Sequence, residues 1–526
     1  MKRTGGRTSA PPASDDRNSE RPRVKPTIHD YFGENKPRPD LGRESVRSGV
    51  VFFAARILNM FVQVGTTILL ARLLTPRDYG LVAMVFALVG FAPHLIDLGT
   101  TDATVQRKQI TQVGISGLFW LKVGIAATLT LLLAGSGGFI ADFYGEPELT
   151  EIAVVASLMF IVSAVSAQHF ALMRRAMQFR RMAVIEIASN VISSVVAIAM
   201  ALAGWGYWAL VAKPLLTSVV GTLGAWISCP WLPARPRYTR EARELVTFGV
   251  GVTGFTVTDY AAQSADRIAL GHLYGAGQLG YFQSALLLYN NLLSLFGQLH
   301  DVAVASLSKL RNDVDELKRS WAAALSSLTF FTMLAFAGLA VTGQDVIVML
   351  LGEKWEPTGP LLCIFAVRGI VHVVERTLGW LHVAAGRSDR WTRWGLLSAI
   401  VQLVAVFAGL PFGTTGVAVA HTIATFCLFV PALAYAGQPL GIGAGDVVRA
   451  VGPQTVAALL TVVVGLTVQG LFLDDVSQLA RFLLSVPVCI AVYLAVAVGI
   501  FRVTRPIRLA FSLLRDFTPA GLRRTS

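Results

Sequence analysis

Apolar runs alternate with short polar connections along most of this chain. Fourteen runs reach the roughly 20 residues that a helix needs to cross a bilayer. They lie near 48–73, 80–99, 114–134, 151–170, 184–203, 207–227, 246–273, 279–302, 321–342, 359–384, 393–411, 414–436, 447–470 and 478–501. The pattern predicts an all-α integral membrane protein of about fourteen transmembrane helices. The first run returns 200 positions later, with Gly49/Gly249, Val50/Val250, Gln63/Gln263, Ile68/Ile268, Leu70/Leu270, Leu73/Leu273 and Gly80/Gly280 in register. Both copies start on the same side, so the repeat is parallel, with six spans per copy and the last two spans outside it.

Within the first and seventh runs the polar residues recur at helical spacing. They are Arg56, Asn59, Gln63 and Thr66 in one, and Thr256, Asp259, Gln263 and Asp266 in the other. A central Arg or Asp facing lipid costs roughly 2.5–3.5 kcal/mol even on a lenient scale, so both stripes are expected to face an internal cavity. Arg56 lies about 12 Å into its span at 1.5 Å per residue, beyond easy snorkelling. Its fork of donors suits phosphate oxygens better than a structural pair with Asp97. Asp259 falls near mid-span, where a carboxylate needs a proton, a cation or an Arg, which makes it an ion-coupling candidate. Asp266 and Arg267 read as a local pair at the interface.

The tenth run is the densest. Arg368, His372, Glu375, Gly379 and His382 share one helical face, with Arg376 beside them. Two readings stand: an ion-pair network in which Arg368 or Arg376 neutralises Glu375, or cavity lining in which His372 or Glu375 changes protonation during transport. Asn290, Ser294, Gln298 and Asp301 form a further stripe in the eighth run, as do Glu186, Asn190 and Ser193 in the fifth. Such groups suit sugar hydroxyls, and they equally suit helix-to-helix hydrogen bonds. Lys122 and Lys213 are expected to snorkel. Trp120, Trp205, Trp208, Trp226, Trp321, Trp391 and Trp394 fit an interfacial belt.

Charge adds orientation. A net charge of +13 would suit nucleic acid, but the basic residues sit in tails and in every second short connection, a membrane-orientation pattern. Connections carrying Arg107/Lys108, Arg174/Arg175, Arg235/Arg237, Lys309/Arg311 and Arg387/Arg390 are therefore cytoplasmic. Those carrying Asp142/Glu146/Glu148, Asp345/Glu353/Glu356 and Asp474/Asp475 face outward, and both termini are inside. Residues 1–47 read as a disordered cytoplasmic extension, 48–227 as a first lobe, 228–245 as a cytoplasmic linker, 246–436 as a second lobe, 437–501 as two added spans and 502–526 as a basic tail. Cys229, Cys363, Cys427 and Cys489 show no ligand spacing and read as packing residues. No metal site, phosphate-cradling loop or nucleophile elbow is found. The short outward loops argue against a membrane enzyme.

Six stretches, ARLLTPRDYGLVAM at 71–84, DLGTTDATVQRKQIT at 97–111, ALMRRAMQFRRM at 171–182, GWGYWALVAKP at 204–214, DRIALGHLYGAGQLGYF at 266–282 and LLGEKWEPTGPLL at 350–362, resemble the polysaccharide transporter branch of the multidrug, oligosaccharidyl-lipid and polysaccharide flippase superfamily. The resemblance implies two six-helix lobes around a central cavity plus two C-terminal helices, working by alternating access. It implies movement of undecaprenyl-diphosphate-linked oligosaccharide from the cytoplasmic to the periplasmic leaflet of the bacterial inner membrane, for exopolysaccharide, capsule or O-antigen assembly. The diphosphate would meet cationic cavity residues such as Arg56. Asp102, and Lys213 with Pro214, depart from the family pattern. Substrate-cavity candidates are thus Arg56, Asn59, Gln63, Gln263, Asn290, Gln298, Arg368 and Arg376; ion-coupling candidates are Asp259, His372 and Glu375, with H+ or Na+ as the ion and no cofactor. Expected partners are the lipid-linked oligosaccharide, membrane lipids and polymerase or chain-length machinery. An ion-coupled drug exporter, a polysaccharide polymerase or ligase, and a passive scramblase are the alternatives.

Overall fold

The computed structural model describes residues 58–107, 109–236, 240–308, 314–384, 388–473 and 475–508. Arg56, the N-terminal extension and most of the basic tail lie outside the described residues, as do the side chains of Asp102, Asp259, Gln298 and Arg376.

The described chain is helical throughout, with helix at the described residues of each of the fourteen runs. The first half comprises α1 (Leu58–Leu73), α2 (Pro76–Val89), α3 (Ala92–Asp97), α4 (Thr100–Gln106), α5 (Gln112–Gly135), α6 (Gly137–Tyr144), α7 (Leu149–Arg175), α8 (Phe179–Leu202) and α9 (Trp208–Ser228). The second comprises α10 (Arg240–Ser308), α11 (Val314–Leu351), α12 (Thr358–Ala384), α13 (Ser388–Gly409) and α14 (Gly413–Gly437), followed by α15 (Ala444–Phe472) and α16 (Gln478–Leu494). Among the described residues ten stretches, not fourteen, are long and apolar enough to cross a membrane one by one. One of these, Arg390–Leu440, is 51 residues long because only a 3-10 turn, Leu410–Phe412, separates α13 from α14.

Local chemistry sets the boundaries. Thr75 caps α2, accepting from the Asp78 amide while the Asp78 carboxylate accepts from the Thr75 amide, and Pro76 fills the first turn, where no amide donor is needed. Gly275 breaks α10 at φ 75°, a conformation that costs other residues a clash. The helix begins at Arg240, inside the stretch expected to be linker. Before it, 229–234 is strapped to the first half: Trp231 Nε1 donates to Gln112 Oε1 at 2.6 Å, the Ala234 amide to Ser116 Oγ at 2.9 Å and Trp120 Nε1 to the Ala234 carbonyl at 2.9 Å. Arg175, expected in an open basic loop, is buried. It donates to the Thr104, Val105 and Arg107 carbonyls, where the negative end of α4 favours a cation.

Each half is a bundle of its own, α5 and α9 packing on α7 and α9 on α8 in the first, α11 and α14 on α12 in the second. α15 and α16 lie on α11. The halves meet through α2 against α10, at the end of the molecule that carries the acidic connections. There Gly80 and Gly280 approach backbone so closely that a Cβ on Gly80 would stand 1.7 Å from the Ala276 carbonyl oxygen, and one on Gly280 1.8 Å from that of Pro76. Ala276 is the repeat equivalent of Pro76, so one contact is made twice with the halves exchanged.

Two expectations about side-chain placement change. Trp321 is fully buried instead of belonging to an interfacial belt, and Trp231 and Trp355 are buried with it. Cys229 and Cys489 pack in the interior as expected, whereas Cys427 is exposed on the surface of α14.

Candidate functional site

In the second half, polar side chains from several helices converge on Arg368. Its Nε donates to Thr425 Oγ1 at 3.0 Å, its Nη1 lies 3.4 Å from His421 Nδ1, and its guanidinium stands 6.0 Å from the Tyr289 ring centroid. Arg368 has only hydrogen to offer, so His421 Nδ1 accepts and the imidazole proton sits on Nε2. Tyr289 and His372 join at 2.5 Å between the hydroxyl and Nδ1. Gln402 Nε2 reaches Thr425 Oγ1 at 3.3 Å.

Of the two arginines offered for an ion pair on α12, Arg368 binds Thr425 and His421 on α14 and not Glu375 two turns along its own helix, while the Arg376 side chain lies outside those described. Asp266 keeps Arg267 as its neighbour, at 3.7 Å, yet it is only 3% exposed and sits in the interior, not at an interface. His382, the last residue of the expected seam, is buried beside Tyr435, with ring centroids 6.1 Å apart.

The first half places its charges differently. Lys122, expected to snorkel, is 1% exposed. Its ammonium binds Asp97 Oδ1 at 2.8 Å and Thr101 Oγ1 at 3.1 Å. Asn59 is buried between Glu186 and Asn190, donating to Glu186 Oε1 at 2.9 Å and accepting from Asn190 Nδ2 at 2.6 Å. The stripes of the first and fifth runs thus become one α1–α8 seam, and Ser193 extends it to Thr217 on α9 at 2.7 Å. Gln63, Gln263, Asn290 and Glu186 are exposed on α1, α10 and α8.

Sequence reasoning missed Tyr289, His421, Thr425 and Gln402. An intramembrane histidine with a threonine four residues on, His421 and Thr425, was the available signal, because both lie on one face of α14. It also missed Arg72 and Trp355, which hold the two halves together at the acidic end.

A helical membrane protein with two packed bundles and ionisable groups held between its spans is the class that fold and site define. The chain belongs to the polysaccharide biosynthesis protein family, whose profile matches residues 69–360. It is 24% identical over 380 residues to the lipopolysaccharide biosynthesis protein WzxC of Escherichia coli (strain K12), covering 70% of this chain and 75% of that protein. It is 25% identical over 353 residues to the succinoglycan biosynthesis transport protein ExoT of Rhizobium meliloti (strain 1021), covering 65% and 70%. Among solved structures the fold matches the lipid II flippase MurJ in an inward closed conformation with a TM-score of 0.69 at 15% identity, over 86% of this chain and 99% of that one. An inward-facing multidrug resistance transporter of the MATE family, in the MOP superfamily, matches with a TM-score of 0.59 at 12% identity, over 74% and 98%. The six sequence stretches all lie within or overlap residues 69–360, the span of the family match, and the solved structures share the fold of the chain.

Proposed function

We propose that this protein is a flippase, moving undecaprenyl-diphosphate-linked oligosaccharide units from the cytoplasmic to the outer leaflet of a bacterial inner membrane by alternating access of its two halves. The observation that carries the reading is the family match, supported by relatives named for polysaccharide biosynthesis and, for ExoT, for transport. The physical task is to take a polar, anionic headgroup through about 30 Å of hydrocarbon. A guanidinium held by neutral groups keeps its charge available for such a headgroup, and Arg368 is held in that way by Thr425 and His421. Arg56 and Arg376 are its proposed companions, with Asn59, Gln63, Gln263, Asn290 and Gln298 meeting the sugar. Asp259, His372 and Glu375 are proposed to couple a proton or sodium ion to the cycle.

The test is complementation of a strain lacking the gene with Arg56→Ala, Arg368→Ala and Asp259→Asn, each checked for protein level. Surface polymer and the leaflet holding lipid-linked units are the readouts. Normal expression with loss of polymer and units trapped on the inner leaflet supports the reading. Units that cross without the protein overturn it.

A further inference from the structure

At the acidic end the two halves are held by a pair of clasps that the repeat relates. On one side the Arg72 guanidinium donates to the Leu350 carbonyl at 2.8 Å and the Met349 carbonyl at 2.6 Å, Lys354 Nζ returns a bond to the Arg72 carbonyl at 2.8 Å, and Trp355 Nε1 donates to the Ala71 carbonyl at 2.8 Å. On the other side His272 Nδ1 donates to the Phe143 carbonyl at 2.7 Å, and the two rings stack at 4.3 Å. His272 is 200 positions after Arg72. Phe143 precedes Tyr144-Gly145-Glu146, and Leu350 precedes Leu351-Gly352-Glu353; Gly145 and Gly352 both turn with positive φ, at 71° and 100°. Each half thus reaches with the end of its first helix to the same carbonyl position in the other half's acidic connection.

Between the clasps lies the crossing of α2 and α10, where Gly80 and Gly280 admit no side chain. Trp355 stands edge-on to the residue beside each glycine, 5.1 Å from Tyr79 and 6.3 Å from Tyr281 between ring centroids. Tyr281 and Trp355 belong to the same half; the Arg72, Lys354, Trp355–Ala71, Trp355–Tyr79, His272–Phe143 and glycine contacts all join the two halves. Those cross-half contacts must be lost together if this end opens.

We infer that the acidic end is a gate, closed here by the Arg72 and His272 clasps, and that side-chain size at Gly80 and Gly280 sets how often it is closed. The inference rests on the proposed alternating access. The crossing is steric and backbone-level, so a larger residue there cannot be absorbed by a rotamer change and acts only against the closed state. The clasps act in the opposite sense, each adding hydrogen bonds that exist only when the gate is shut.

Gln63 and Gln263 supply matched reporters, each nine residues before its clasp residue and so about 14 Å deeper along a helix. In the full-length protein, with its native cysteines replaced by serine, Gln63→Cys or Gln263→Cys is labelled in intact cells by a membrane-impermeant maleimide, and separately in inside-out vesicles. Gly80→Leu, Gly280→Leu and Arg72→Ala are expected to raise labelling from the acidic side about tenfold and to lower it from the basic side, as a population shift between two states demands. Gly80→Ala gives a smaller rise in the same direction. Unchanged labelling, or an equal rise from both sides as in a loosened bundle, overturns the gate. The readout needs no substrate. A shift in labelling in a protein dispensable for polymer would keep the gate and remove the glycan; no shift in a protein required for polymer would do the reverse.

Discussion

Lys122 and Asp97 make an asymmetric pair, and the asymmetry predicts an order of mutant stabilities. The lysine side chain is 2% exposed and the aspartate side chain 39%, with 2.8 Å between Nζ and Oδ1. Two unit charges at that distance attract by about 6 kcal/mol at an effective dielectric of 20. Desolvation of the ammonium consumes much of this, so the pair's net worth is small while the cost of breaking it is large. Asp97→Asn removes the counter-charge and leaves a buried ammonium with only neutral acceptors, the new amide oxygen and the Thr101 hydroxyl, a loss of about 3–5 kcal/mol. Lys122→Met leaves a partly exposed carboxylate that still accepts from Thr101, and costs about 1–2 kcal/mol. The double variant Asp97→Asn/Lys122→Met removes the buried charge and recovers most of the loss. Thermal unfolding of detergent-purified protein, followed by loss of the monodisperse peak, ranks the three. Lys122→Met less stable than Asp97→Asn, or a double variant no better than Asp97→Asn, would refute the reasoning.

Three further perturbations separate the roles of neighbouring groups. Trp355→Phe keeps the ring and drops the bond to the Ala71 carbonyl, costing about 1 kcal/mol, while Trp355→Ala empties a buried site and costs about 3–5 kcal/mol; the same unfolding assay reads both. Arg77 reaches Glu146 at 2.5 Å and Glu148 at 3.1 Å but is 55% exposed, so Arg77→Ala changes stability by less than about 1 kcal/mol, and by less still in high salt. Asn59→Asp sets a second carboxylate against Glu186 and lowers the unfolding temperature, and Glu186→Gln added to it restores the loss, since like charges at hydrogen-bond distance cannot both ionise cheaply.

Periodicity made the spans, their polar faces and the repeat legible, because each is a property of one helix or of one offset. Partners between helices were not legible. The face holding Asn59 and the face holding Glu186 and Asn190 were both read correctly as polar, and nothing in either showed that they meet. Lys122 was read as snorkelling because its stem is long enough to reach a headgroup region; its partner sits 25 positions earlier, in a helix whose tilt the sequence does not encode. Trp355 lay in a short acidic connection and drew no notice, since a buried indole bonded to another half's carbonyl has no periodic signature. Arg56 and Asp259 carried much of the sequence-based reading, and neither side chain is among those described.

Gly80 and Gly280 show what a repeat conserves and what it releases. A contact between two related halves is made once by each position, so Gly80 against Ala276 and Gly280 against Pro76 are a single geometric requirement written twice. A side chain at either glycine would meet backbone of the other half, so the requirement for glycine is the same at both positions. The interior carries no such constraint. Its first half closes its charges locally, Lys122 on Asp97 and Asn59 on Glu186, while its second gathers Tyr289, His372, His421 and Thr425 around Arg368. A symmetric contact over an asymmetric interior is what the proposed alternating access would need, with two halves moving against each other about a ligand that offers different chemistry to each.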